Sequence, residues 1–370
     1  MKKLLILSVS AGAGHVRAAQ AVQEIAEIKK VRTVHIDVME IVPKLFRKVY
    51  AESYIEVVEK YPELWGYLYN RSDKNVTSKY RNLMQMVERM NTRKLFKIIE
   101  GENPDCILCT HFLPPQLLSR KIEKGKFDIP VWVQVTDFDI HRLWVHDNMS
   151  GYFTASDEIS WRLKDRGIDE SLIHTTGIPI STAFQKRLSM RNILKDLGLV
   201  KSKTTLLLMA GGAGVGDMFS LCQSILSMKL DLQIIALAGK NKELLAQLKE
   251  LQNEHLELLA PLGFTKEIEK YMQVSDFAVT KPGGLTSSEC LAMGLPMIIV
   301  SPIPGQEERN SDYLLENGAA LKAYDTAGLQ FKIKQLVESP DLIKIMSDNA
   351  KRIGKPKAAL KVLNQMLKAK

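Results

Sequence analysis

Short apolar runs alternate with helical patterns along almost the whole of this chain, and that alternation constrains the fold more than any other feature. In the first half the runs lie near Leu4–Val9, Thr33–Val38, Cys106–Thr110, Val131–Thr136, Gly151–Ala155 and Leu172–Thr175, with helical patterns such as Val16–Ile28 and Ser156–Asp165 between them. In the second half they lie near Thr205–Ala210, Gln233–Ala238, His255–Leu259, Phe277–Thr280, Met297–Val300 and Ala320–Lys322. Helices at Lys242–Leu251, Ser287–Met293 and Asn310–Glu316 separate those strands. Strands that read as near-continuous apolar runs are buried on both faces, so the pattern predicts an α/β protein built on mostly parallel sheets. At 370 residues the chain is long enough for two such domains. A glycine and a proline in Gly177-Ile-Pro-Ile180 break the pattern, so the expected division is 1–180, 181–350 and a tail over 351–370. Ligands of doubly wound sheets bind beyond the carboxyl ends of the strands, and two facing sheets therefore make a cleft between domains.

No window approaches 18 uninterrupted apolar residues, so a membrane-spanning helix is not expected. The apolar run at Leu4–Leu7 stops at Ser8 and leads into a glycine loop, which reads as a buried first strand rather than a signal peptide and places the protein in the cytoplasm. Four cysteines make no disulfide framework, and the Cys106-x-x-Cys109 pair, without a second pair, reads as two buried strand residues rather than a zinc site. The net charge of +9 asks for a partner, and nucleic acid, an anionic membrane or a phosphorylated substrate would each explain it. Seven Lys or Arg and no acid lie between Lys351 and Lys370. Pro43 to Lys97 carries twelve basic and six acidic residues interleaved with aromatics that include Phe46, Tyr50, Trp65 and Tyr67. That mixture suits a membrane interface, and peripheral attachment with no nucleic-acid partner is expected; solvated helices with ordinary core aromatics would carry the same pattern.

Five segments carry chemistry. In Ser10-Ala-Gly-Ala-Gly-His-Val-Arg, Gly12 and Gly14 let a ligand approach the next helix's N-terminus, and His15 stands in its first turn, suited to taking a proton from an attacking hydroxyl. Alone, that loop reads equally well as a structural turn. In Lys281-Pro-Gly-Gly-Leu-Thr-Ser-Ser-Glu289, backbone amides, hydroxyls and a helix's positive end form a diphosphate cradle, with Glu289 one turn in to accept from ribose hydroxyls. The loop Ser301-Pro-Ile-Pro-Gly-Gln-Glu-Glu-Arg-Asn310 brings Gln306, Glu307 and Asn310 toward the same cleft. Gly211 and Gly212, in Met209-Ala-Gly-Gly-Ala-Gly, form a flexible turn whose amides suit phosphate or sugar. In Thr136-Asp-Phe-Asp-Ile-His-Arg-Leu-Trp-Val-His146, Asp137 is a second base, while His141, Arg142, Trp144 and His146 line the acceptor side. The histidine spacing there fits neither H-x-x-x-H nor a facial triad, so no metal is expected.

The G-x-G-H-x-x-A-A, T-D-F-x-x-H-x-x-W-V-H, K-P-G-G-L-T-x-x-E and P-x-P-G-Q-E-x-x-N segments, in that order over nearly the full chain, resemble the monogalactosyldiacylglycerol synthase and processive diacylglycerol glucosyltransferase family. The resemblance implies the GT-B fold, two Rossmann-like domains facing a central cleft. It also implies inverting transfer of glucose or galactose from UDP-glucose or UDP-galactose to a membrane lipid, with diacylglycerol as the expected acceptor and no metal or other cofactor. By motif, His15 becomes the essential histidine; Pro282, Gly283, Gly284 and Thr286 hold the diphosphate; Glu289 holds the ribose; Gln306, Glu307 and Asn310 hold the sugar; and Phe264 lies against the uracil. Gly12, Gly14, Trp65, His141 and Trp144 fall on the acceptor side, and the basic tail becomes a helix packing back on the first domain. Ser10 stands where galactosyl-transferring members tend to carry Asp. A peptidoglycan-precursor N-acetylglucosaminyltransferase, a UDP-sugar 2-epimerase and a non-catalytic UDP-sugar sensor are the alternatives.

Overall fold

The computed structural model describes residues 2–10, 12–42, 94–186, 188–209 and 218–368. It contains two six-stranded sheets in which every strand pair is parallel. The first sheet is built from β1 (Lys3–Ser8), β2 (Arg32–Asp37), β3 (Cys106–Cys109), β4 (Val131–Gln134), β5 (Gly151–Thr154) and β6 (Ile173–Thr175), in the order β2-β1-β3-β4-β5-β6. The second is built from β7 (Thr204–Leu208), β8 (Leu232–Gly239), β9 (Leu259–Gly263), β10 (Phe277–Thr280), β11 (Met297–Val300) and β12 (Ala320–Ala323), in the order β12-β11-β10-β7-β8-β9. The expected α/β class with two doubly wound sheets is therefore present. Strand order reverses between β1 and β3 in one sheet and between β7 and β10 in the other, and the loops leaving those strands border the crevices where such sheets bind ligands.

The inner strands form because their side chains are buried on both faces, while β2 and β6 at the edges are only partly buried. Leu4 to Ser8 of β1, the whole of β3 and the whole of β4 are buried. Cys106 and Cys109 lie within β3 as free, buried thiols, and burial pushes the Cys106 thiol up to about 11. One expected strand is displaced. Residues 255–258 are not extended: the Lys242–Glu254 helix ends with His255 as its C-cap, and the His255 carbonyl accepts from both Leu258 and Leu259. The apolar run there misleads because Leu256 is 66% exposed; pairing with β8 begins only at Leu259.

The last helix, Ala358–Lys368, leaves the second sheet and packs on the first. Ala359, Val362, Leu363 and Met366 join Leu4, Ile6, Val22 and Trp132 in one buried cluster. Each buried aliphatic side chain of this kind contributes about 1.5–3 kcal/mol, which ties the two halves together. The segment leading to it runs close against the first half. Gly177 (φ 92) lies under Lys355, where any side chain would collide with the lysine stem. Among the described residues no helix is long and apolar enough to cross a membrane. Trp65, Gly211, Gly212 and most of the basic aromatic stretch from Pro43 lie outside the described residues.

Candidate active site

β1 ends at Ser8, and the chain turns through Gly12 into the Ala13–Ile28 helix, so His15 sits in that helix's first turn. Its Nδ1 lies 3.0 Å from the Thr110 carbonyl oxygen and 2.8 Å from Thr136 Oγ1. A carbonyl oxygen can only accept, so Nδ1 carries the proton and Nε2 is the basic nitrogen. Thr110 reinforces the arrangement by donating its hydroxyl to the His15 carbonyl at 2.9 Å. Burial lowers the His15 pKa below the ordinary histidine value and favours the neutral ring, opposed by the nearby Asp137 carboxylate and the Thr110 bond.

Asp137 follows β4, where its carboxylate accepts from Gln306 Nε2 at 2.9 and 2.8 Å and from Asn310 Nδ2 at 3.3 Å. Asn310 reaches back to accept from the Phe138 amide at 2.7 Å, and Phe138 stacks on Tyr313. These contacts join the β4 loop of the first domain to the Gln306–Glu316 helix of the second. Burial pushes the Asp137 carboxyl up, against its hydrogen bonds and the His15 ring.

The Gly284–Met293 helix follows β10 through Pro282 and Gly283 and meets the same loop from the other side. A Cβ at Gly284 would collide with the Thr136 carbonyl oxygen and would lie 3.3 Å from Asp137 Cα. Thr136 thus touches both the Gly283–Gly284 turn and the His15 ring. A Cβ at Gly14 would sit 3.7 Å from Leu285, and one at Gly283 would sit 3.8 Å from Glu307 Oε1. Three helix N-termini, preceded by Gly12, Gly283 and Gly305, therefore converge here; no side chain caps the first two, whereas at the third the Gly305 amide already donates to Glu308.

The helix begins at Gly284 rather than near the hydroxyl cluster, which changes the expected cradle. Ser288 Oγ donates back to the Gly284 carbonyl and Ser287 is fully buried, so Thr286 alone of the three is half-exposed. Glu289 is 2% exposed, and its Oε1 accepts from Arg17 Nη2 at 2.5 Å. Burial raises its pKa to about 7, with Arg17 pulling it down and Glu269 pushing it up. Glu307 accepts from the Ile303 amide, and Phe264 is 62% exposed with Lys240 over its ring.

On the other side of His15, its ring meets His111 edge-on at 4.6 Å, and His111 lies against Phe112 and Trp144. His141 is buried and its Nδ1 caps the Arg142–Trp144 turn. His146, expected on the acceptor side, is buried too, and burial lowers its pKa to about 4. Residues missed in the sequence are Thr110, His111 and Thr136, together with Arg17 as the Glu289 partner. Thr110 and His111 directly follow β3, the strand beside the reversal of strand order, and that position was their signal. Among the described residues no group of three or more His, Cys, Asp or Glu is placed to hold a metal ion.

The family model for monogalactosyldiacylglycerol (MGDG) synthase matches residues 15–180, and the model for the glycosyltransferase family 28 C-terminal domain matches residues 205–365. A processive diacylglycerol beta-glucosyltransferase of Bacillus cereus (strain AH187) is 30% identical over 372 residues, covering 99% of this chain and 93% of the relative. This chain belongs to the MGDG synthase and processive diacylglycerol beta-glucosyltransferase family. Another member, from Bacillus pumilus (strain SAFR-032), is 29% identical across 95% of this chain and 91% of its own. As a member of this family the protein is a glycosyltransferase. Solved structures agree on the fold. The UDP-GlcNAc 2-epimerase of Neisseria meningitidis superposes with a TM-score of 0.64 at 14% identity, covering 100% of both chains. MurG of Acinetobacter baumannii does so with a TM-score of 0.62 at 13% identity, also covering 100% of both. The architecture is GT-B.

Proposed function

We propose that the protein transfers a hexose from a UDP-sugar to a diacylglycerol-type membrane lipid in a single in-line displacement that inverts the anomeric carbon. The observation that carries this reading is the meeting of His15, Asp137 and the Gly283–Gly284 helix start around Thr136, which sets a base beside an anion-binding helix end. The relatives' names supply the donor and acceptor classes, with glucose favoured. In the proposed step the lipid hydroxyl oxygen bonds to the sugar's anomeric carbon as the carbon–oxygen bond to UDP breaks. The hydroxyl proton passes to His15 Nε2, and UDP leaves with the bonding electrons. Asp137, its lone pairs engaged by Gln306 and Asn310, stabilises the imidazolium by its charge. The converging helix ends stabilise the departing diphosphate without a metal. The half-exposed Phe264 is assigned to the uracil, Gln306 and Glu307 to the sugar, and the Trp144 side of His15 to the acceptor. The first domain meets the cytoplasmic face of the membrane through the basic aromatic stretch from Pro43.

The deciding assay gives the protein radiolabelled UDP-glucose or UDP-galactose with vesicles containing diacylglycerol. Label is expected in a lipid, from UDP-glucose first, and equally with EDTA present. Conversion of the UDP-sugar without labelled lipid would favour an epimerase, and loss of activity with EDTA would restore a metal to the mechanism.

Glu289 is assigned to the ribose hydroxyls. A charge-assisted hydrogen bond contributes about 1.5–3 kcal/mol, so Glu289→Ala is expected to weaken UDP binding on the order of 10- to 100-fold. Calorimetry with UDP alone measures it; unchanged affinity would remove Glu289 from the donor site.

A further inference from the structure

Arg17 lies two residues past His15, on the first domain, yet its guanidinium crosses the cleft to Glu289 on the second. The contact is one-sided: Nη2 meets Oε1, and among the described residues no hydrogen bond reaches Oε2. The carboxylate is buried while the arginine side chain is 44% exposed, so the pair sits at the cleft edge with one carboxylate oxygen held and the other available. We propose that Arg17 is a positioning residue for the nucleotide: from the acceptor domain it holds Glu289 Oε1 and leaves Oε2 to the ribose, so that the ribose site is complete only when the domains are closed. This rests on the assignment of Glu289 to the ribose.

The electrostatics support the geometry. The groups facing Glu289 are few: Arg17 from the Ala13–Ile28 helix and Glu269 from the Ile268–Val274 helix, with Lys351 of the Pro340–Ile353 helix at the far end, against Gly294. The Thr182–Gln185 turn packed alongside brings no charged side chain. Among the described residues Arg17 is the cation that draws this buried carboxyl toward its ionised form, against burial and Glu269. A carboxylate accepts two ribose hydrogen bonds, whereas a carboxylic acid spends its proton-bearing oxygen as a donor. Removing the cation shifts Glu289 toward the acid, and the loss is greatest at neutral pH and below. At higher pH the carboxyl ionises without help and the loss shrinks.

The experiment compares Arg17→Ala and Arg17→Lys with the parent in steady-state kinetics from pH 6 to 9, using the full-length protein and UDP-sugar as the varied substrate. Arg17→Ala is expected to raise the donor KM at least tenfold at pH 7, with kcat within about threefold, and the KM ratio should fall toward one by pH 9. Arg17→Lys should recover most of the affinity, and on a Glu289→Gln background Arg17→Ala should change the donor KM by less than twofold. A donor KM for Arg17→Ala equal to or below the parent's would overturn the proposal, marking the ion pair as a mere competitor of the ribose. So would an increase that is the same at every pH or survives the Glu289→Gln background. If Arg17→Ala does not fold, the Arg17→Lys profile decides, because a lysine that leaves the pH dependence of KM unchanged while weakening binding also overturns it. Intact UDP affinity in Glu289→Ala would instead withdraw the ribose assignment itself, a separate outcome.

Discussion

His15→Ala is expected to lower kcat by a factor on the order of 10² to 10⁴, the range for loss of a positioned general base, while UDP affinity stays nearly intact. The reason is the bonding of the ring. Thr110 and Thr136 hold Nδ1 from two different loops, which fixes the plane of the imidazole and leaves Nε2 as its basic atom. Because burial lowers the His15 pKa below the ordinary histidine value, the acid limb of the kcat–pH profile should lie below about 6.5. Single-turnover rates at saturating donor, with calorimetry on UDP, make the measurement. Activity within twofold of the parent would transfer the role of base to Asp137, despite the Gln306 and Asn310 bonds that occupy its carboxylate.

The second large effect is expected at Gly284. Alanine there must place a methyl group against the Thr136 carbonyl, a backbone atom of the opposing domain that cannot rotate away as a flexible side-chain end does. The variant can accept the clash, at a cost of about 1–3 kcal/mol, or open the interface between the two domains. Opening withdraws Asp137 from Gln306 and Asn310 and moves the Gly283–Gly284 turn away from His15 in one motion, so kcat/KM should fall on the order of 100-fold or more. Gly101→Ala, where nothing lies within 4 Å, is the matched control and should keep activity within twofold. A Gly284→Ala protein as active as that control would show that the closed contact is not needed for turnover.

How much of this was legible in advance differs from residue to residue. β10 and β11 are found at the bounds their apolar runs predict, because four consecutive buried residues between turn signals leave little room for another reading. The run at His255–Leu259 failed because its first residue caps the preceding helix and the next three form a turn, and exposed Leu256 resembles a core leucine when only sequence is seen. The hydroxyls of Ser287 and Ser288 read, from the sequence, as part of the diphosphate cradle. The helix starts at Gly284, so they fall one turn in and face the interior. The turn through Pro282 and Gly283 into the helix that carries Glu289 was legible because a tight turn and helical spacing are local properties.

Local sequence accounts for most of the elements: where the inner, doubly buried strands lie, and that glycine turns precede the helices carrying His15, Glu289 and Gln306. Those follow from periodicity, from glycine's freedom in turns and from helix ends, all of which act over a few residues. The partnerships within the first domain and across the cleft arise from the packing of the two domains. Thr110 and Thr136 on His15, Gln306 and Asn310 on Asp137, and Arg17 on Glu289 join residues 95 to 272 positions apart. No local propensity encodes such pairs. They exist because two doubly wound sheets present their carboxyl-end loops to one another across a closed cleft, with the last helix crossing back to pack against β1 and the first helix.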